Sequence, residues 1–142
     1  MTQTNIDRHT ARILAMQALC QLDAQGDDFR AQVPGFIADS RVDGLTGDYA
    51  HRLIEIAWSQ RNEVAAELAE IAPEWSIGRM TPVDRNAIRV AMAELDLDEA
   101  PPKVIINEAV EISREYGSAD SPKFVNGVLD AVWKAQPRGG TS

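Results

Sequence analysis

The chain has 142 residues, of which 44% are hydrophobic and 25% charged, and 22 acidic against 14 basic residues give a net charge of −8. This length suits one domain with its own core, and the charge argues against a broad basic surface for non-specific binding to nucleic acid or lipid. Because no apolar run approaches the roughly 18–20 residues that cross a bilayer, the first twelve residues lack a signal peptide's apolar stretch, and the single Cys20 cannot form an internal disulfide, we expect a cytoplasmic protein.

The first half of the chain predicts helices of unequal regularity. Residues 5–25 carry apolar side chains at spacings near three, four and seven, which is the period of an amphipathic helix. Residues 27–40 are interrupted by a Pro-Gly pair, and they predict a short or broken helix. From Thr46 an apolar face continues as far as Pro73, which predicts one long helix.

The second half contains the same helix-start pattern twice. Thr81-Pro82 and Ser121-Pro122 each offer a capping hydroxyl followed by a proline that suits the first helical position. The first of these starts a helix that runs to about Leu95. Between the two, residues 103–116 predict another helix, which ends at Gly117.

The pair Asn126-Gly127 would indicate a tight hairpin if strands flanked it. The apolar residues around it fall at gaps of one and three, which predicts that the pair lies inside the last helix. Because glycine costs a helix about 1 kcal/mol relative to alanine, we expect Gly127 to allow a close crossing with another helix. No segment predicts a strand. We therefore expect an all-α, compact single domain of six or seven helices over residues 1–142, with 1–4 and 137–142 flexible.

Patterns typical of catalysis or metal binding are weak. His9 and His51 have no ligand-like spacing with Cys20, and glycine-rich phosphate loops are absent. The acidic run at 96–99 lacks the glycine turn of a calcium loop. We expect no enzyme activity, no cofactor and no metal.

Two short stretches are candidates for contact with phosphate or bases. Arg8 and Arg12 are four residues apart and share a face of the first helix, with His9 beside them; two ordinary surface arginines are the alternative. At the start of the last helix Lys123 could touch phosphate and Phe124 could stack on an unpaired base, although Phe124 suits the core equally well. We expect these stretches to form one narrow cationic edge where the first and last helices meet.

Three stretches of the chain resemble the NusB family of transcription antitermination factors. They are RHTARILAMQALCQLD (8–23), WSIGRMTPVDRNAIRVAMAEL (75–95) and VIINEAVEISREYGSADSPKFVNGVLD (104–130). The resemblance implies an all-helical domain that binds boxA RNA of nascent rRNA transcripts together with NusE, a protein of the small ribosomal subunit. It also implies that the complex joins RNA polymerase and helps it read through terminators.

The resemblance also assigns roles to particular residues. Those that it implies for RNA contact, on the opening helix and in the loop entering the last helix, are Arg8, His9, Arg12, Asp120, Ser121, Lys123 and Phe124. It implies that Asp84 faces NusE, and it assigns Asn107, Asn126 and Gly127 to the fold.

The sequence departs from the family in ways that weaken RNA contact. The opening arm keeps two arginines where several are common, and Cys20 stands where an aromatic residue is common. We therefore expect feeble RNA affinity for the protein alone and useful binding with NusE, a basic partner that the acidic chain complements. One alternative is a protein-interaction module of the same fold with weak or lost RNA binding. Another is the N-terminal part of an rRNA cytosine methyltransferase, which needs a long cofactor-binding domain. A homodimer is also compatible with the sequence.

Overall fold

The structure is a computed structural model that describes residues 5–71 and 73–135. Within these ranges it contains α-helices, short 3-10 helices and no strand, so the all-α prediction is confirmed. The α-helices are α1 (Arg8–Gln25), α2 (Val33–Asp39), α3 (Gly44–Ser59), α4 (Arg61–Ile71), α5 (Pro82–Leu97), α6 (Pro102–Tyr116) and α7 (Ser121–Ala135), and the 3-10 helices are Gly26–Gln32 and Ile77–Arg79. None of these helices is long and apolar enough to cross a membrane. The flexible ends expected at 1–4 and 137–142 lie outside the described residues.

The prediction of one long helix after Thr46 is wrong, because this stretch forms two helices, α3 and α4, with a break at Gln60. Gln60 has φ −98° and ψ 13°, which are not helical values. The guanidinium of Arg61 donates a hydrogen bond to the carbonyl of Trp58 at 2.6 Å, and its Cζ lies 3.8 Å from the centroid of the Trp58 ring. The arginine therefore satisfies a carbonyl at the break while covering the indole.

The two predicted helix starts differ in the structure. Thr81 caps α5 as predicted. At the second start Ser121 is buried, and its Oγ accepts a hydrogen bond from the Ser118 N–H at 3.0 Å. The first hydrogen bond of α7 runs to the carbonyl of Asp120. Ser121 therefore lies within the helix and holds the preceding loop instead of capping α7.

Helix α5 occupies the centre of the fold, with α1, α3, α6 and α7 packed against it. One core cluster joins α1 and α3 to the face of α5 that carries Val90 and Ala93. A second cluster joins α4, α6 and α7 to the face that carries Ile88, Met92 and Leu95. Helices α1 and α7 belong to different clusters on α5. The prediction of a cationic edge where the first and last helices meet is therefore wrong.

The prediction that Gly127 allows a close crossing with another helix is also wrong. A Cβ built on Gly127 would meet no atom within 4 Å. The close approach occurs at Gly117 instead, where a Cβ would lie 2.5 Å from Ser121 Oγ and 2.6 Å from the carbonyl oxygen of Ser113. Gly117 ends α6 as predicted, and its N–H donates to that carbonyl at 2.8 Å. The tight turn that leads to α7 therefore requires glycine.

Candidate nucleic-acid interface

The start of α1 is tied to the start of α3. Asp7 caps α1, and its carboxylate accepts hydrogen bonds from Thr10 N–H at 3.1 Å and Thr10 Oγ1 at 2.7 Å. These bonds to Thr10 lower the pKa of Asp7. The Asp7 N–H in turn donates to Thr46 Oγ1 in the first turn of α3 at 3.0 Å. The backbone that presents Arg8 and His9 is therefore fixed on both sides.

A first cationic region, which we name the Arg8 patch, consists of Arg8, His9, Tyr49 and Arg52. The guanidinium carbons of Arg8 and Arg52 lie 5.2 Å and 5.9 Å from the centroid of the Tyr49 ring. Arg8 Nε is buried and has no hydrogen-bond partner among the described residues. His9 is exposed, and its Nδ1 lies 2.8 Å from Glu108 Oε1. Arg52 also pairs with Glu99 at 2.6 Å, and the Tyr49 ring is buried. Arg8 is therefore the group of this patch that best suits a phosphate-bearing ligand.

Arg12 lies beneath the Arg8 patch and is only 4% exposed. Its Nε and Nη2 donate to the two carboxylate oxygens of Glu94 at 2.7 Å each, and its Nη1 donates to Glu108 Oε1 at 3.1 Å. Burial alone would lower the pKa of Arg12, but its bonds and charge interactions with Glu94 and Glu108 raise it. The guanidinium that the sequence assigned to RNA contact is therefore engaged inside the fold, where it joins α1 to α5 and α6.

Two further arginines, on α5, are engaged by the C-terminal half of α1. Arg85 Nε donates to Asp23 Oδ2 at 2.8 Å, and Arg89 Nη1 donates to Asp23 Oδ1 at 2.9 Å. Asn86 adds a third donor at 2.9 Å. Burial would raise the pKa of Asp23, but these three donors together lower it. This cluster therefore serves helix packing and leaves its cations little charge to offer a ligand.

The loop before α7 forms a pocket against the segment that precedes α5, and we name it the Phe124 pocket. Its volume is about 250 Å³. The lining residues are Arg79, Met80, Thr81, Asp84, Ser118, Asp120, Ser121 and Phe124. Phe124 is half-buried, Asp120 is exposed, and the exposed Lys123 precedes the aromatic residue. Three of the four residues predicted for RNA contact in this loop, Asp120, Ser121 and Phe124, therefore line the pocket, and Lys123 does not.

Asp84 also lines the Phe124 pocket, although the sequence assigned it to NusE contact. The residue is 7% exposed. Its Oδ1 is buried and has no hydrogen-bond partner in the described part of the chain. The predicted partner-binding residue and the predicted RNA-binding loop therefore share one pocket.

The Arg8 patch and the Phe124 pocket lie at opposite ends of α5. Arg12, beneath the patch, bonds to Glu94 near the C-terminal end of that helix, whereas Asp84 lies in its first turn. The ten residues between these positions correspond to about 15 Å at 1.5 Å per residue. The predicted RNA-binding residues thus form two separate regions.

Sequence reasoning missed Arg52 and Arg79. Arg52 reaches Tyr49 from the next turn of α3, and nothing in the sequence relates it to Arg8, 44 positions earlier. Arg79 lines the Phe124 pocket and lies two residues before the predicted cap Thr81. Its closeness to that predicted helix start could have identified it. Among the described residues, no group of three or more His, Cys, Asp or Glu side chains could hold a metal ion.

The sequence of the chain is similar to those of known proteins. The model of the NusB family matches residues 9–134. A transcription antitermination protein NusB of Herpetosiphon aurantiacus is 38% identical over 129 residues, which cover 88% of each chain. A protein of the same name from Chloroflexus aggregans is 35% identical over 128 residues, covering 88% of this chain and 85% of the relative.

Solved structures share the fold. NusB of T. maritima has a TM-score of 0.82 at 32% identity, covering 94% of this chain and 93% of that one. A chain from the crystal structure of the antitermination factors NusB and NusE in complex with dsRNA has a TM-score of 0.81 at 28% identity, covering 90% of this chain and 96% of its own. The similarity therefore extends over both core clusters.

Proposed function

This chain belongs to the NusB family, and from that membership we propose that it is a non-catalytic transcription antitermination factor. In this role it binds boxA-containing RNA of rRNA leader transcripts together with NusE, and the complex lets RNA polymerase read through terminators. The observation that carries the proposal is the family match over residues 9–134. The likeness to a chain of the NusB–NusE–dsRNA complex supports the choice of partners.

The Arg8 patch and the Phe124 pocket are the proposed RNA contacts. Arg8 and His9 hold phosphate at the start of α1, and Lys123 holds phosphate beside Phe124, which stacks on an unpaired base. Ser121 shapes the loop through its bond to Ser118. Arg12 contributes by positioning α1, because its guanidinium is bonded to the buried carboxylate of Glu94.

The charges around these two regions explain why a partner is needed. Helix α6, which packs on α5 and α7, carries Glu108, Glu111 and Glu115, and these charges oppose phosphate. The chain as a whole carries a net charge of −8. A basic ribosomal protein such as NusE is attracted to this acidic surface and adds the cations that the RNA requires.

The proposal is tested by titrating fluorescently labelled boxA RNA with the protein at physiological salt, with and without NusE. We expect weak binding by the protein alone and binding at least tenfold tighter when NusE is present. Arg8→Ala should weaken the ternary complex and reduce its salt slope by about one. Lys134→Ala is the matched control, since it removes one exposed cation that pairs with Asp130. Absence of RNA binding in the presence of NusE would contradict the proposal.

A protein-interaction module that has lost RNA binding is the second candidate. The engagement of Arg12 by Glu94 favours it, because that contact removes one of the two arginines of the opening arm from the surface. This candidate predicts that NusE binds equally well with and without boxA RNA. A pull-down with NusE, performed in both conditions, separates the two.

A further inference from the structure

Glu108 of α6 holds two of the three basic side chains in the first turns of α1. Its Oε1 lies 2.8 Å from His9 Nδ1 and accepts a hydrogen bond from Arg12 Nη1 at 3.1 Å. The side chain of Glu108 is 25% exposed and that of His9 is 50% exposed. A carboxylate of another helix therefore lies at the surface, in direct contact with the basic end of α1.

The other carboxylates near the start of α1 have separate roles. Asp7 caps the helix, and Glu94 is fully buried. Glu99 pairs with Arg52 of α3 at 2.6 Å. Among these four acids, Glu108 is the one that bonds to an exposed side chain proposed for RNA contact.

The charge of Glu108 contributes little to the anchoring of α1. Arg12 donates two bonds of 2.7 Å to Glu94, and its bond to Glu108 is longer, at 3.1 Å. A glutamine at position 108 would still offer an acceptor oxygen to Arg12. The contact with His9 joins two partly exposed side chains, and such pairs add little to stability. A structural role therefore does not account for the charge at this position.

RNA phosphate has the same chemistry as the Glu108 carboxylate. Both groups are anions that accept hydrogen bonds from imidazole and guanidinium N–H groups. While His9 Nδ1 donates to Glu108, that N–H is not available to a phosphate. Arg8 Nε is buried without a hydrogen-bond partner among the described residues, and a phosphate drawn to Arg8 also approaches the Glu108 charge, which repels it.

We propose that Glu108 is an internal competitor of RNA. In the free protein its carboxylate occupies His9 and lowers the affinity of the Arg8 patch for phosphate, and bound RNA replaces it there. The inference rests on the proposed function, because it names the residue that keeps RNA binding weak until NusE contributes its own contacts.

The test compares Glu108→Gln with the wild type in the absence of NusE. Labelled boxA RNA is titrated with each protein by fluorescence anisotropy at reduced salt, where phosphate contacts are stronger. Glutamine keeps the length of the side chain and removes its charge. We expect Glu108→Gln to bind roughly three- to tenfold tighter, because one repulsive charge is removed close to the phosphate.

Glu63→Gln is the matched control, since it makes the same change in net charge at an exposed position of α4. The start of α1 is bonded to Thr46 in the first turn of α3, whereas α4 follows the other end of α3. The length of α3 puts about 20 Å between these two ends, at 1.5 Å per residue. Glu63→Gln should therefore bind RNA with nearly wild-type affinity.

A second measurement examines the contact itself. His9→Ala is introduced into the wild type and into Glu108→Gln. It should cost little affinity in the wild type, where Glu108 occupies the imidazole, and it should remove much of the gain in Glu108→Gln. Such coupling is expected for residues in contact. Urea denaturation of Glu108→Gln should give a stability close to that of the wild type.

The outcomes separate this inference from the function on which it rests. If Glu108→Gln binds RNA no tighter than Glu63→Gln does, or if His9→Ala has the same effect in both backgrounds, the inference fails and the proposed function stands. If Glu108→Gln is less stable and binds RNA more weakly, Glu108 supports the site instead of competing for it, and the inference fails as well. If the wild type with NusE binds no boxA RNA, both fail.

Discussion

Arg12 and Glu94 form a buried pair whose members are 82 positions apart in the sequence. Arg12→Leu leaves the fully buried Glu94 carboxylate without its main partner, and we expect a loss of about 3–5 kcal/mol in the free energy of unfolding. Urea denaturation measures this loss. The double substitution Arg12→Leu with Glu94→Leu should recover part of it, because this pair then leaves no buried charge, although the buried Tyr49 hydroxyl loses its acceptor. An unchanged stability of Arg12→Leu would show that the pair does not stabilise the fold.

Tyr49 lies against the same carboxylate and gives the protein a dependence on alkaline pH. Burial, together with the bond that its hydroxyl donates to Glu94 at 2.7 Å, raises the pKa of Tyr49 to about 12 from an ordinary value of 10.0. The raised pKa favours the folded state below pH 10, and this contribution is lost as the pH rises towards 12. We expect Tyr49→Phe to lose about 1.5–3 kcal/mol at neutral pH and to show a smaller decline between pH 10 and 12.

The control for that experiment is the exposed Tyr116. Tyr116→Phe should leave both the neutral-pH stability and the alkaline decline at wild-type values, as measured by urea denaturation at each pH. An equal decline in wild type and Tyr49→Phe would contradict the assignment.

At the scale of single residues, the sequence predicts on which face of its helix a side chain lies, but it does not predict which other residues cover that face. The spacing of Arg8 and Arg12 correctly places both on one face of α1, because a helix fixes that relation locally. Whether that face is covered depends on Glu94 and Glu108, which belong to other helices. For the same reason the sequence could recognise the cap at Thr81, and it could not see that Ser121 bonds backwards to the loop.

At the scale of elements, two glycines make opposite predictions. Gly127 lies within α7, and a Cβ added there would meet no atom within 4 Å, so Gly127→Ala should raise the free energy of unfolding by roughly 0.5–1 kcal/mol. Gly117→Ala should lower it, because the added methyl would clash with the backbone carbonyl of Ser113. Thermal denaturation of both variants measures the two effects. Changes of the same sign would contradict this account.

The existence of most helices was predictable, whereas the break between α3 and α4 was not. The apolar face continues through the break, since Ala57, Val64 and Leu68 are all buried, and periodicity reports only burial. Neither proline nor glycine stands at Gln60, where the chain turns. The break instead coincides with the contact of Arg61 on Trp58, which no local pattern indicates.

At the scale of the whole molecule, the separation of the Arg8 patch from the Phe124 pocket predicts independent effects on RNA binding. The Arg8 patch and the Phe124 pocket are about 15 Å apart along α5, beyond the roughly 7–10 Å within which substitutions couple. Arg8→Ala combined with Lys123→Ala should therefore weaken the ternary complex by the product of the two single effects. Anisotropy titrations of the four proteins test this. A double variant no weaker than either single variant would indicate one shared contact.

The fold class and the family were predictable for the whole chain, and the relative position of its ends was not. The stretches 8–23, 75–95 and 104–130 carry the family resemblance, and they contain the cap Thr81, the turn at Gly117 and much of both core clusters. The placement of α5 between α1 and α7 is set by how two separate clusters divide the faces of one helix. That division is a property of the assembled core, and the order of residues does not reveal it.

The central position of α5 also determines when the chain can fold during its synthesis. Once Thr81 has been added, α1 and α3 are complete, but the helix that both pack against does not yet exist. Leu19 and Leu53 of the first cluster then lack the surface that Val90 provides. We expect a nascent chain of this length to stay protease-sensitive, and the native core to close late and cooperatively, after α7 has emerged.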